Sequence, residues 1–120
     1  MIVAGFGFRG KATRASLDDA LTRAGGRVDV FATAADKAVT SEMIAFGADH
    51  GVRVVGVRDE ALTMQTTLTV SQASQSVRKT GSVAEAAALA AAGPGARLLA
   101  PRVVSSDRLA TCALAEGHEP

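Results

Sequence analysis

Apolar residues along this chain alternate between two periods, and the switches mark its elements. Residues 1–4 are continuously apolar and β-prone and stop at a glycine, as a buried strand feeding a functional turn does. Leu17, Ala20, Leu21 and Ala24 then recur at helical spacing while Arg14, Asp18, Asp19 and Arg23 fall largely on the other face, so residues 13–24 read as an amphipathic helix. Ser16 with Asp19 resembles a capping pair for it, and Gly25-Gly26 is its stop. Residues 27–33 form the next strand, with Val28 and Val30 on one face. Thr40 or Ser41 can cap a helix through Ile44 and Phe46 that ends at Gly51. Residues 52–57 are a third apolar strand, and strand-helix alternation up to this point predicts right-handed β-α-β crossovers.

The second half is patterned differently. Asp59 opens one helical turn, and residues 63–80 are rich in Thr, Ser and Gln with Val70 and Val77 as clear apolar anchors. A loop of this length inside a compact domain is functional or mobile. Ser82-x-x-Glu85 spells a capping box, an alanine run with Leu89 follows, and Gly93-Pro94 ends the helix predicted over 82–92. Residues 97–101, 102–105 and 109–115 read as short strands around a Ser105-Ser106-Asp107 turn, and residues 116–120 as a frayed end. The expected fold is α/β: a single three-layer domain over residues 1–120, with a mixed, mainly parallel sheet and helices on both faces.

Composition narrows the function. A chain of 120 residues is long enough for one core and too short for two. Hydrophobic residues are 48% and charged ones 21%, which suits a globular domain rather than disorder. No apolar run reaches the ~18–20 residues of a bilayer span, and the N-terminus has no signal layout, so a cytoplasmic protein without membrane partners is expected. A net charge of +1, with no Trp or Tyr and only 4 Phe, leaves little to hold or stack nucleic acid. Cys112 is the single cysteine and His50 and His118 are isolated, so neither a disulfide nor a resident metal or cofactor is expected.

The candidate chemistry lies at two turns. Gly5-Phe6-Gly7-Phe8-Arg9-Gly10-Lys11-Ala12-Thr13 reads as a glycine-rich basic turn before a helix, where backbone N–H groups, cations and the helix N-terminus can meet an anion. Gly81-Ser82-Val83 follows Arg78 and Lys79 in the same way, and Lys37 follows the second strand. The expected ligand-facing residues are Gly5, Gly7, Arg9, Lys11, Thr13, Ser82 and Val83, with residues 63–80 closing over them. Gly5, Gly7 and Gly10 also satisfy the G-x-G-x-x-G pattern of dinucleotide sites. Against that reading, helix-compatible sequence starts about three residues late, and Asp29 sits inside the second strand rather than at its end. No catalytic constellation is visible: Glu85 is explained by capping, His50 by a helix C-terminus, and Cys112 by a small apolar niche.

Val3-Ala4-Gly5-Phe6-Gly7-Phe8-Arg9, then Gly81-Ser82-Val83-Ala84-Glu85-Ala86-Ala87-Ala88-Leu89, then Ala110-Thr111-Cys112-Ala113-Leu114-Ala115, in this order, resemble the cobalamin-biosynthesis family of CobE and the C-terminal domain of CbiG. The family's first turn often carries two consecutive arginines before its glycine; here Gly10 follows Arg9 directly, and Lys11 is the candidate second cation. The resemblance implies an α/β domain with a mixed sheet that acts in corrin-ring construction, with a precorrin or hydrogenobyrinic-acid-like tetrapyrrole intermediate as ligand. Carboxylates on such a ligand match the anion-accepting turns. Three further readings remain beside it: a CbiG-like hydrolase opening a precorrin ring lactone, alone or with a partner; a dinucleotide-binding half-domain; and an assembly role beside other corrin-pathway enzymes. Exposed sheet edges also suit a homodimer.

Overall fold

Parallel strands β1 (Ile2–Phe8), β2 (Val30–Ala34) and β3 (Arg53–Val57) lie side by side in a computed structural model that describes residues 1–70 and 81–117. Short strands β4 (Arg97–Leu98) and β5 (Val103–Val104) follow one another along the far edge of β6 (Ala110–Glu116), which is antiparallel to them and to β1. Among the described residues the sheet has 6 strands in the order β3-β2-β1-β6-β4, with β5 also on β6. Every strand but β6 runs the same way, so the sheet is mixed and mainly parallel, as expected. The readings that fell on Val77, Arg78 and Lys79 lie outside the described residues.

Helices α1 (Arg14–Ala24), α2 (Ala35–Ala38), α3 (Ser41–His50), α4 (Asp59–Thr63) and α5 (Val83–Ala92) complete the layers. The alternation of β1 assigns its side chains: Ala4 and Phe6 face α1 and α3, whereas Val3 faces α5. On the first face Phe6, Phe31 and Phe46 form a buried trio, with ring centroids 4.9 to 5.4 Å apart, closed by Leu17 and Met43. Each such side chain contributes about 1.5–3 kcal/mol by leaving water. Cys112 is buried in this layer, and desolvation pushes its thiol well above the usual range, as befits a small apolar residue.

The other face is built from small residues. Ala86, Ala87, Ala88 and Ala92 of α5 are buried against Val3, Ala32 and Ala115. Gly5 lets this helix approach. A Cβ at Gly5 would overlap the Ala84 carbonyl oxygen and stand 2.6 Å from the Ala88 nitrogen, whereas one at Gly7 would crowd Thr111 Oγ1 of the neighbouring strand at 2.9 Å and meet Val83 Cβ in ordinary contact at 3.4 Å. The first strand therefore does not stop at residue 4. It continues through both glycines to Phe8, pairing Gly5 with Ala113 and Gly7 with Thr111, and the glycine-rich turn shrinks to residues 9–13. The second strand is displaced too, starting at Val30 and ending at Ala34 rather than spanning 27–33.

The helix boundaries have local causes. Thr13 caps α1 in a reciprocal box: its Oγ1 accepts from Ser16 N at 3.3 Å and its own N–H donates to Ser16 Oγ at 3.1 Å. The expected pair of Ser16 with Asp19 is thereby corrected. Thr40 caps α3, whose last turn closes on Gly51 at φ 63°, a left-handed conformation that suits glycine. Among the described residues no helix is long and apolar enough to cross a membrane.

Candidate functional site

The carboxyl ends of β1, β2 and β3 define one edge of the sheet, and the segments that follow β1 and β2 there carry Arg9, Lys11, Arg14 and Lys37. Crossovers from β1 to β2 and from β3 towards β4 pass over opposite faces, so the neighbourhood of β1 is a topological switch point, where open α/β sheets bind ligands. Arg9 and Lys11 are exposed in the turn between β1 and α1. The Arg9 N–H donates to Leu109 O at 2.9 Å and the Ala12 N–H to Arg9 O at 3.0 Å, which fixes the turn against the start of β6. Lys37 belongs to the same edge, its Nζ 5.1 Å from the centroid of the Phe8 ring.

Side-chain pairing separates the three cations of the first turn. Arg14 is bound to Asp49 across α1 and α3 at 3.0 Å. Arg9 and Lys11 have no hydrogen bond or ion pair from their side chains among the described residues. Thr13 is exposed but its hydroxyl is engaged in the cap. His50, at the end of α3, meets Asp18 Oδ1 at 3.0 Å and lies edge-on to Phe31 and Phe46, so it is a structural partner rather than an edge residue.

The second expected turn is arranged differently. Gly7 lies beneath Val83, so the N-terminus of α5 does reach the same end of β1. Ser82, however, is fully buried and its Oγ accepts from Glu85 N at 3.3 Å, so its hydroxyl points inward. Val83 is half-buried. The expected return bond from Glu85 to the cap gives way to a different role. Fully buried Glu85 accepts through Oε1 from Leu68 N and Thr69 N, at 2.7 and 2.9 Å, and through Oε2 from Arg102 N and the Thr69 hydroxyl, at 2.8 and 3.1 Å. One carboxylate thus pins residues 68–69 and the chain before β5 to the first turn of α5. These partners lie 16 and 17 residues away, beyond any local motif.

A carboxylate network braces the loop between β5 and β6 to α1. Asp107 accepts from Ser16 Oγ and Ser105 Oγ, both at 2.6 Å, and from Leu109 N at 3.0 Å. Asp19 accepts from Ser106 N at 2.6 Å and pairs with Arg23 at 3.1 Å. The Ser105 and Ser16 hydroxyls hold Asp107 below its ordinary value of 3.8, and the Ser106 N–H followed by Arg23 does the same for Asp19. Because both folded values lie below the unfolded ones, the stability they contribute is present above about pH 4 and is lost as pH falls through the folded values. Asp107→Asn should lower the urea midpoint at neutral pH and make its decline between about pH 5 and 3 shallower. An unchanged acid limb would detach Asp107 from that decline.

The glycine geometry also disposes of the dinucleotide pattern. Gly5 and Gly7 are strand residues packed on α5, and Asp29 precedes β2 at the opposite edge, where its Oδ2 accepts from Ile2 N at 2.8 Å. Gly5 and Gly7 therefore cradle no phosphate, and Asp29 is not placed to hold a ribose. Among the described residues no group of three or more His, Cys, Asp and Glu gathers as a metal site.

The family model for the cobalamin synthesis G C-terminus matches residues 2–115. Among solved structures, CobE from the cobalamin pathway superposes with a TM-score of 0.81 at 26% identity, over 96% of this chain and 89% of that one. The cobalamin biosynthesis protein ChiG from Agrobacterium tumefaciens gives 0.75 at 32% identity, over 99% and 100%. A cobalamin biosynthesis protein G homolog from Sulfolobus solfataricus shares the fold at 18% identity with a TM-score of 0.72, over 98% of this chain and 37% of that longer one. None of the curated proteins matches the chain.

Proposed function

The chain belongs to the CobE/CbiG C-terminal family of cobalamin-biosynthesis proteins, and on that premise we propose that it binds a precorrin or hydrogenobyrinic-acid-like intermediate at the carboxyl edge of β1. The observation that carries the reading is the pair Arg9 and Lys11, exposed cations without side-chain partners among the described residues, beside the N-terminus of α1. Cations at that end of a helix dipole are unfavourable unless an anion joins them, and carboxylates of a tetrapyrrole supply anions. In this reading Thr13 and Val83 complete the rim. Gly5 and Ser82 act from beneath, by letting α5 approach β1 and by capping it, and Gly7 leaves room for the Thr111 hydroxyl at the same end of β1.

Titrating the protein with hydrogenobyrinic acid and with its amidated form, by absorbance and calorimetry, tests the proposal. Saturable binding that weakens on amidation is expected. Arg9→Ala should weaken it by about 1–2 kcal/mol, a value held down by the exposure of the site. Unchanged affinity in that variant would remove Arg9 from the rim, and no binding of either form would remove the corrinoid. Incubating the protein with a precorrin that carries the ring lactone, and following release of the free hydroxy acid over hours, separates a binding module from a hydrolase that opens it.

A further inference from the structure

The turn that leads into β6 contains an arginine in a conformation that arginine adopts at a cost. Arg108 has φ 62° and, among the described residues, is the non-glycine with a positive φ. Glycine or asparagine fills such positions more readily, because a Cβ crowds the following carbonyl there. Two hydrogen bonds within the turn hold that geometry: Arg108 N donates to Ser105 O at 2.9 Å, and Leu109 N to Asp107 Oδ1 at 3.0 Å. Asp107 and Ser106 in turn are tied to Ser16 and Asp19 of α1. The turn is therefore fixed to the helix that begins at the candidate site.

The same turn touches the site directly, since Leu109 O accepts from Arg9 N at 2.9 Å and Phe8 pairs with Ala110. Arg108 is exposed, and its guanidinium has no hydrogen bond or ion pair among the described residues. Asp107, the neighbouring carboxylate, is already engaged by two hydroxyls and an N–H. A strained, braced and unpartnered arginine beside two other free cations does nothing for the fold that glycine would not do better.

We infer that Arg108 is a third anion-binding residue of the edge, presented by the β5–β6 turn so that Arg9, Lys11 and Arg108 together receive separate carboxylates of one polyanionic ligand. This deepens the corrinoid-binding reading and rests on it. It also distinguishes ligands: a species with one carboxylate engages one cation, whereas a polycarboxylate recruits the third from a different loop.

Hydrogenobyrinic acid titrations of wild type, Arg9→Ala, Arg108→Ala, Arg108→Lys and Arg108→Gly, each with a thermal melt, test the assignment. Arg108→Ala should bind roughly three- to tenfold more weakly, and Arg108→Lys should recover most of the loss because it keeps the charge. Arg108→Gly should melt about 2 °C higher than wild type, strain relief outweighing the added chain entropy, and yet bind as weakly as Arg108→Ala. A residue that merely shaped the turn would not separate stability from affinity in this way. Wild-type affinity in Arg108→Ala, with binding weakened in Arg9→Ala, would overturn this inference alone. Absence of binding by wild type would overturn it together with the reading beneath it.

Discussion

Replacing Gly5 by alanine should lower the free energy of unfolding by about 3 kcal/mol, because the new methyl has no room that side-chain rotation can create. Its nearest neighbours are the Ala84 carbonyl oxygen, overlapped outright, and the Ala88 nitrogen at 2.6 Å, both backbone atoms of α5. The helix must lift from β1, and lifting it loosens Ala86, Ala87 and Ala88 from the layer they share with Val3 and Ala32. Gly10 supplies the control. A Cβ there meets nothing within 4 Å and its φ is not positive, so Gly10→Ala should gain about 0.5 kcal/mol by restricting the unfolded chain. Urea unfolding of the two variants should therefore give changes of opposite sign. A loss below about 1 kcal/mol for Gly5→Ala would mean that α5 has slack against the sheet.

That contrast also shows what a sequence can and cannot convey. Glycine has two uses, positive φ and close approach, and only the first leaves a local signature. Gly25-Gly26 and Gly51 were legible as helix stops because the preceding residues spell a helix. Gly5 reads as part of a turn because the helix that needs it starts only at Val83, and Gly7 because its neighbour Thr111 lies on the last strand. For the same reason the four residue pairs that extend β1 from Gly5 to Phe8 have no signature in the local sequence, since their partner β6 lies at the other end of the chain.

Side-chain chemistry divides in the same way. The cap at Ser82 and the alanine helix after it are local and were legible, whereas the four partners of Glu85 come from three residues in two other segments. The cations at the first turn were visible as a group; which of them is free was not, since that depends on Asp49 reaching Arg14 from the neighbouring helix. Arg108 left no signal at all, because an arginine in a turn looks like any solvated charge until its φ is known.

Removing the Glu85 carboxylate should have the larger effect of the two core substitutions, about 4 kcal/mol for Glu85→Ala. Three backbone N–H groups, those of Leu68, Thr69 and Arg102, lose their acceptor at once, and in their part-buried setting each orphaned donor costs about 1 kcal/mol, to which the lost packing of the fully buried side chain adds. Water entering the gap would recover part of that. Glu85→Gln should cost about half as much: its carbonyl oxygen can keep Leu68 and Thr69, and the Thr69 hydroxyl can rotate to accept from the new amide, but the Arg102 N–H then faces a donor. Amide hydrogen exchange supplies the residue-level readout. Leu68, Thr69 and Arg102 should lose protection in Glu85→Ala, and Arg102 preferentially in Glu85→Gln, while Phe31 and Ala32 in the middle of the sheet follow global stability. Equal costs for the two variants would mean that the second carboxylate oxygen carries as much as the first. A cost below about 1 kcal/mol for Glu85→Ala would show that residues 68–69 and 102 are held to α5 by packing rather than by this one side chain.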